Sequence, residues 1–193
     1  MGIDPAPFWG NLHLYSYECD FITSLISSDK ARAMKFRFAT RFIDDECNLN
    51  DGGEFGRSFH QIYPRELELK CEHSGTHATF LDLEITIVDG IFVFKLFDKR
   101  NFFIVRMPDL SGNIPSNVFY GSVMSEFLRI ARSTLLYQDF LPVASNLLKR
   151  MVNQGVSEAK LLQQISKAIN RYPELFAKFS KNSNEIVSDL KSD

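Results

Sequence analysis

The sequence predicts an α+β fold, because segments with the two-residue period of strands precede segments with the period of helices. The clearest strand signal is a pair of alternating segments, residues 79–88 and 91–97, joined by Asp89-Gly90, a dipeptide typical of two-residue hairpins. The clearest helical signal follows residue 115, where apolar side chains recur every three or four positions. We therefore predict a sheet-containing unit over residues 1–110, a helical unit over 111–180 and a polar tail over 181–193.

A long helix is predicted near the N-terminus, over residues 6–26. Asp4 and Pro5 fit its start, with Asp4 as the capping residue and Pro5 in the first helical position. Apolar side chains form two rows along this helix, Phe8, Leu12, Tyr15 and Cys19 in one and Trp9, Tyr17 and Phe21 in the other. Because the rows cover most of the circumference, we expect the helix to be buried under a sheet.

Two adjacent aspartates, Asp44 and Asp45, follow a segment with strand periodicity. Phe36, Phe38 and Phe42 share one face of that predicted strand, and alternation resumes at Cys47. The simplest geometry is a hairpin with both aspartates at its tip. Adjacent carboxylates suit Mg²⁺ and the transfer of phosphoryl or nucleotidyl groups. Taken alone, the two acids are better explained as a solvated turn, since Asp is favoured in turns for its local hydrogen bonds.

The remaining elements are predicted from the same two periods. After Asp51-Gly52-Gly53 we expect a short helix to residue 62, then a half-exposed strand over 66–72 with strictly alternating charged and apolar residues. Three helices are expected later, over residues 116–134, 139–154 and 157–172, with Gly155 and Pro173 as stops.

Composition indicates a globular protein without a membrane span. The chain has 193 residues, 45% of them hydrophobic, no apolar run long enough to cross a bilayer, and no signal-peptide pattern. Three scattered cysteines do not form a disulfide framework, so an intracellular, reducing compartment is expected. The net charge of −2 argues mildly against binding nucleic acid through the whole surface. Residues 116–172 nevertheless carry seven bases against three acids, although a solvated helical face is the better explanation of these charges taken alone.

Two short motifs are weak. Gly52-Gly53-Glu54-Phe55 resembles part of the diguanylate cyclase signature, but it lacks one acidic residue of that signature and lies at a predicted helix start. Cys71, His73 and His77 offer only three candidate zinc ligands without a standard spacing, so a loop containing histidines is the better interpretation.

The order of the elements resembles that of reverse transcriptases. Residues 1–12, MGIDPAPFWGNL, resemble their template- and nucleotide-contacting segment, in which a glycine turn leads into the helix beneath the palm. Phe42-Ile43-Asp44-Asp45 resembles their Tyr/Phe-x-Asp-Asp metal-binding hairpin. The continuation is similar to Penelope-like retroelements, with a helix, an acidic-apolar strand and a Phe-Leu-Asp strand at residues 79–85. The likeness thins after Pro115, where the helices would form the thumb.

This resemblance implies a partial polymerase palm, an antiparallel sheet on helices, followed by a small helical thumb-like unit. It implies that Asp44 and Asp45 are catalytic ligands of Mg²⁺ or Mn²⁺, and that the partners are an RNA or DNA template–primer duplex and a dNTP. The resemblance also implies two sets of contacts to substrate. Nucleotide and template would be contacted by Gly2, Ile3, Pro5 and Phe42. The primer would be contacted by Lys95, Lys99, Arg100 and Arg106. An ordinary exposed side chain is the alternative for each basic residue.

The sequence also departs from the family. Reverse transcriptases carry a further catalytic aspartate on a palm strand before the glycine segment, and fingers that contact the nucleotide, and neither is present here. We therefore expect the C-terminal part of a polymerase module that is inactive alone. A non-catalytic remnant that binds nucleic acid or protein is the alternative, and a plain interaction module with a solvated Asp44-Asp45 turn is a third.

Overall fold

The computed structural model describes residues 5–97 and 113–192, and its helices and small antiparallel sheets confirm the α+β class. The chain divides into two compact units, Met1–Ser74 and Gly75–Asp193. The boundary predicted near residue 110 lies outside the described residues. The observed division comes earlier because a three-stranded sheet, predicted to belong to the first unit, packs with the helices that follow it.

Unit 1 contains a long helix, a short helix followed by a 3-10 turn, a hairpin and a third helix. Its elements are α1 (Ala6–Ser28), α2 (Lys30–Ala33), a 3-10 turn (Met34–Phe36), β1 (Ala39–Phe42), β2 (Asp45–Asn48) and α3 (Glu54–Ile62). Asp51 starts α3, because its carboxylate accepts hydrogen bonds from the backbone N–H groups of Gly53 (2.9 Å) and Phe55 (2.8 Å). The core of unit 1 is small and contains Leu25, Phe36, Phe55, Phe59, Ile62 and Tyr63.

Helix α1 is much more exposed than the sequence predicts. Leu25 is its one buried residue, whereas Phe8, Trp9, Leu12 and Tyr15 are all exposed. The only sheet described in unit 1 has two strands, which together with α3 cover one side of a long helix and leave the other open. The helix begins at Ala6, as predicted, but Pro5 rather than Asp4 is its capping residue, and Asp4 lies outside the described residues.

Two strand predictions in unit 1 need correction. Phe36 lies in the 3-10 turn and Phe38 precedes β1, so the strand before the aspartates begins only at Ala39. Residues 66–72, predicted as a strand, are exposed and pair with no described strand. Alternation alone does not make a strand, because a strand also requires a partner for its backbone N–H and C=O groups.

Unit 2 opens with a three-stranded antiparallel sheet in the order β3-β4-β5. The strands are β3 (His77–Phe80), β4 (Leu83–Val88) and β5 (Ile91–Leu96). The single strand predicted over residues 79–88 is therefore two strands, separated by a tight turn at Leu81-Asp82. The turn at Asp89-Gly90 is confirmed, with φ of 49° and 77° at its two residues, as a type I′ turn requires.

The helices of unit 2 enclose its main core. They are α4 (Ser116–Arg132), α5 (Tyr137–Asn153), α6 (Glu158–Arg171), α7 (Pro173–Phe176) and α8 (Ser183–Ser192), with a 3-10 turn at Ala177–Phe179. The ends of α4, α5 and α6 lie within about two residues of the predicted ones. Phe127, Phe140, Phe176 and Phe179 form an aromatic cluster in which the rings of Phe140 and Phe179 stack with centroids 4.8 Å apart. The sheet joins this core through Leu96.

The predicted polar tail is instead helix α8. Asn182 and Glu185 form a reciprocal capping box: the Glu185 N–H donates to Asn182 Oδ1 (3.0 Å), and the Asn182 N–H donates to Glu185 Oε2 (2.7 Å). Ile186 and Leu190, four residues apart, are buried in the core of unit 2. Across residues 5–97 and 113–192, no helix combines the length and apolar character that crossing a membrane requires.

Candidate metal-binding hairpin

The structure places the two aspartates at the tip of a hairpin, as the sequence predicts. Strands β1 and β2 pair with Phe42 opposite Asp45, which leaves Ile43 and Asp44 as the two-residue turn. Both aspartates are exposed. Ile43 has a φ of 57°, a left-handed conformation that is strained for a β-branched residue. Such strain persists only where the surroundings hold the turn in place.

Arg41 is the residue that holds this turn. Its guanidinium donates to the carbonyl of Ile43 (2.9 Å) and, from the same Nη1 atom, to Oδ1 of Asn11 on helix α1 (2.7 Å). Nη2 donates to the carbonyl of Asn11 (3.1 Å), and Nε donates to Oε1 of Glu18 (2.5 Å). The planar fork of an arginine allows one side chain to reach all these acceptors. The aspartate-bearing turn is thereby fixed to α1.

Glu18 and Glu46 lie close to Arg41 but have different environments. Glu18 accepts hydrogen bonds from Arg41 and from the Tyr63 hydroxyl (2.5 Å), and burial, reinforced by this bond, raises the pKa of Tyr63. Glu46 is directly across the ladder from Arg41. Burial, together with the nearby charge of Glu18, raises the pKa of Glu46 to about 7. The hairpin therefore has a buried polar face toward α1 and a solvent-exposed acidic tip.

The aspartates provide the oxygen donors that Mg²⁺ prefers, but they are only part of a complete site. Mg²⁺ requires near-octahedral coordination and normally combines one or two carboxylates with water and substrate phosphates. Within the residues that the structure describes, no group of three or more His, Cys, Asp or Glu side chains is placed to hold a metal. Cys71, His73 and His77 accordingly form no zinc cluster. The hairpin can contribute two ligands to a metal that a substrate or further ligands help to hold.

Comparison with known proteins does not assign the chain to a family. The chain matches no protein-family model, no curated protein and no solved structure. The chemistry of the hairpin is therefore inferred from its own residues.

The other residues implied by the resemblance are only partly described. Phe42 is exposed beside the turn, and Pro5 is exposed at the start of α1. Lys95, on strand β5, forms an ion pair with Glu84 (3.0 Å), which leaves it less available for a phosphate. Gly2, Ile3, Lys99, Arg100 and Arg106 lie outside the described residues.

A second hairpin repeats the turn of the first, which the sequence analysis missed. Phe80-Leu81-Asp82 matches Phe42-Ile43-Asp44 in its aromatic residue, its aliphatic residue at positive φ and its aspartate. An arginine contacts each turn in a different way: Arg41 donates to the Ile43 carbonyl, whereas Arg129 Nη1 on helix α4 donates to the carboxylate of Asp82 (Oδ2, 2.7 Å). The repeated Phe-aliphatic-Asp triplet in the sequence was the available signal for both turns.

Helix α6 carries a stripe of basic residues. Lys160, Lys167 and Arg171 are spaced seven and four residues apart, which places them on one face of the helix over about 16 Å. All three are exposed and form no ion pair with another described residue. Such a stripe is the electrostatic pattern expected of a surface that follows a chain of phosphates.

Proposed function

We propose that this chain forms part of the palm and thumb of a retroelement reverse transcriptase, an RNA-directed DNA polymerase. The observation that carries the proposal is the exposed Asp44-Asp45 pair on a hairpin turn whose preceding residues, Phe42-Ile43, resemble the family motif. The anchoring of that turn on α1 through Arg41 supports it, because metal ligands must be held rigidly to act in phosphoryl transfer.

In the proposed reaction, Asp44 is the principal ligand and Asp45 an auxiliary one. A bound Mg²⁺ supplies two things here: it favours the deprotonated primer 3′-hydroxyl and balances the charge of the departing pyrophosphate. The residues of this chain position that chemistry. Arg41 fixes the turn, and the exposure of both carboxylates leaves them accessible to a primer end and a dNTP.

The proposal is tested by primer extension with the product of the longest natural open reading frame that contains this sequence. Asp44→Asn should lower extension on an RNA template by at least about a hundredfold, because the amide cannot replace a charged metal ligand. Asp89→Asn is the matched control, since Asp89 is also an exposed aspartate in a two-residue hairpin turn. Extension that survives Asp44→Asn would show that the hairpin is not the metal site.

A non-catalytic protein that binds nucleic acid is the second candidate, and the basic stripe of α6 favours it. This function needs no metal and is compatible with the incomplete ligand set at the hairpin. It would use Lys160, Lys167 and Arg171 to contact the phosphates of a duplex.

Binding of the chain to an RNA–DNA duplex across a range of salt concentrations tests this role. Replacing the three basic residues by Gln should weaken binding and reduce the slope of log K against log salt by about 3, roughly one for each lost phosphate contact. A triple Gln variant at Lys30, Lys70 and Lys149, which are exposed lysines outside helix α6, is the control. Binding without salt dependence, or an unchanged slope, would exclude the stripe as the contact surface.

A further inference from the structure

Unit 1 contains a cleft that neither proposed function uses. Its volume is about 470 Å³, within the range of small-molecule sites. One end is bounded by Glu18, Arg41, Glu46 and Tyr63, and most of its walls are apolar. The larger apolar side chains are Phe21, Ile22, Ile26, Met34, Phe36, Phe55 and Ile62. The cleft thus combines an apolar body with one polar end, which is the usual design of a site that orients a small molecule.

The polar end has one acceptor without a donor. Arg41 and the Tyr63 hydroxyl already occupy the carboxylate of Glu18. Glu46 receives a single hydrogen bond, from Asn48 Nδ2 to its Oε1 (3.3 Å), and its Oε2 is buried without a partner among the described residues. The Oδ1 atom of Asn48, which does not line the cleft, is likewise buried and unpartnered within that set. Buried acceptors in this state are unusual, because each has lost its water without gaining a donor.

The net charge at the polar end of the cleft determines whether a cationic or a neutral donor binds Glu46 better. Glu18 and Arg41 form a close ion pair and largely cancel, so the carboxylate of Glu46 is the charge that remains uncompensated at this end. Its terminal torsion turns over a broad range, which allows either oxygen to face the cleft. A cationic N–H donor makes a stronger hydrogen bond to a carboxylate than a neutral donor does.

We propose that this cleft binds a small organic cation, an amine on an aromatic or alkyl body, with its ammonium donating to Glu46 and its body between Phe21, Phe36 and Phe55. The apolar walls take the body, and the buried carboxylate takes the charged end. This site is separate from the exposed tip of the hairpin and does not depend on the proposed polymerase function.

An amphipathic anion is the competing ligand, because Lys30 and Arg37 also line the cleft. Both are exposed, so water and salt screen their charges. Arg37 in addition lies over the ring of Phe38, 4.3 Å from its centroid. The desolvated carboxylate is therefore expected to select the ligand more strongly than the exposed cations.

Three probes that differ only in their polar end test the proposal on the intact chain: 3-phenylpropylamine, 3-phenylpropanol and 3-phenylpropionate. Binding is measured by isothermal titration and by amide chemical shifts at pH 8, where Glu46 is ionised even with its pKa raised to about 7, and at one salt concentration. The amine should bind about tenfold more tightly than the alcohol, the difference that one charge-assisted hydrogen bond provides. Its shifts should centre on residues 21–22, 33–36 and 62–63.

Two variants separate the role of Glu46 from a general effect on folding. Glu46→Gln should remove the tenfold preference for the amine while leaving the alcohol unchanged, and Ala33→Met should weaken all three probes by filling the cleft. Glu72→Gln, at an exposed carboxylate away from the cleft, is the control and should change nothing. Equal binding of the three probes, tighter binding of the propionate, no binding at all, or a preference that persists in Glu46→Gln would each overturn the proposal.

Discussion

Arg41 is the residue on which the geometry of the candidate site depends most. Five hydrogen bonds from its guanidinium join the Ile43 carbonyl, Asn11 and Glu18. Ile43 is strained at a φ of 57°, and its carbonyl is one of these acceptors. The local sequence places a β-branched residue where a hairpin turn would favour glycine, so a side chain from outside the turn must stabilise it. The position of Asp44 therefore follows from Arg41.

Arg41→Lys should destabilise unit 1 by about 1 to 3 kcal/mol, because a lysine keeps the charge but leaves partly buried acceptors without donors. The measurement is the free energy of opening at the amides of β1 and β2 by native-state hydrogen exchange. Arg37→Lys is the control, since Arg37 is exposed nearby and donates no comparable set of bonds. If Arg41→Lys lowered the free energy of opening no more than Arg37→Lys does, the guanidinium would not hold the turn.

Glu54 links two helices of unit 1 and should make their stability depend on pH. Its carboxylate, at the start of α3, accepts hydrogen bonds from Arg32 on α2 (2.6 Å) and from Arg57 (3.1 Å). The bond from Arg32, followed by that from Arg57, lowers the pKa of Glu54 to about 2. A lowered pKa means that the ionised form stabilises the fold above the unfolded value of 4.5, and that this contribution is lost as the pH falls toward 2.

The expected result is that unit 1 loses stability as the pH falls from about 5 to about 2, and that Glu54→Gln flattens this part of the profile. Urea unfolding followed at amides of α3 by NMR measures it. Glu46 acts in a different window, because its raised pKa makes protonation favour the fold as the pH falls from about 7 to 4.5. An unchanged profile below pH 5 in Glu54→Gln would contradict the assignment to Glu54.

Elements with a local cause were predictable from the sequence, and elements that depend on a distant partner were not. The period of α4, α5 and α6 and the Asp89-Gly90 turn are properties of neighbouring residues, and each is confirmed. Residues 66–72 have the alternation of a strand but no described partner, which the pattern cannot reveal. Helix α8 was missed although Asn182 and Glu185 have the capping-box spacing, because its charged residues outweighed the two buried ones, Ile186 and Leu190.

The position of the candidate site was predictable from the sequence, but the hydrogen bonds that hold the hairpin on α1 were not. Two aspartates after a strand-like segment are enough to predict the hairpin tip. Asn11 and Glu18 are 30 and 23 residues from Arg41, and nothing in the local sequence joins them. The burial of Glu46 beside Glu18 is likewise a product of packing, so its raised pKa could not be anticipated.

At the scale of the whole molecule, the chain forms two compact units rather than a sheet unit followed by a helical one. The three-stranded sheet belongs to unit 2, where Leu96 enters the helical core and the Leu135 N–H donates to the Phe94 carbonyl (2.9 Å). Unit 1 contributes the aspartate hairpin, and unit 2 contributes the basic stripe of α6. In the proposed polymerase role, the metal would lie at the hairpin of unit 1.

The most direct test of the proposed polymerase role is to map where a bound metal cleaves the protein backbone. In the longest natural product that contains this chain, with template–primer and dNTP bound, Fe²⁺ is substituted for Mg²⁺ and hydrogen peroxide and ascorbate are added. The Fe²⁺ reduces the peroxide to hydroxide and a hydroxyl radical, which cleaves the backbone next to the metal, and ascorbate returns the Fe³⁺ to Fe²⁺. We predict cleavage within residues 42–46 that disappears in Asp44→Asn and persists in Asp89→Asn. Cleavage confined to other segments, or cleavage at residues 42–46 that is unaffected by Asp44→Asn, would contradict the assignment of the hairpin as the metal site.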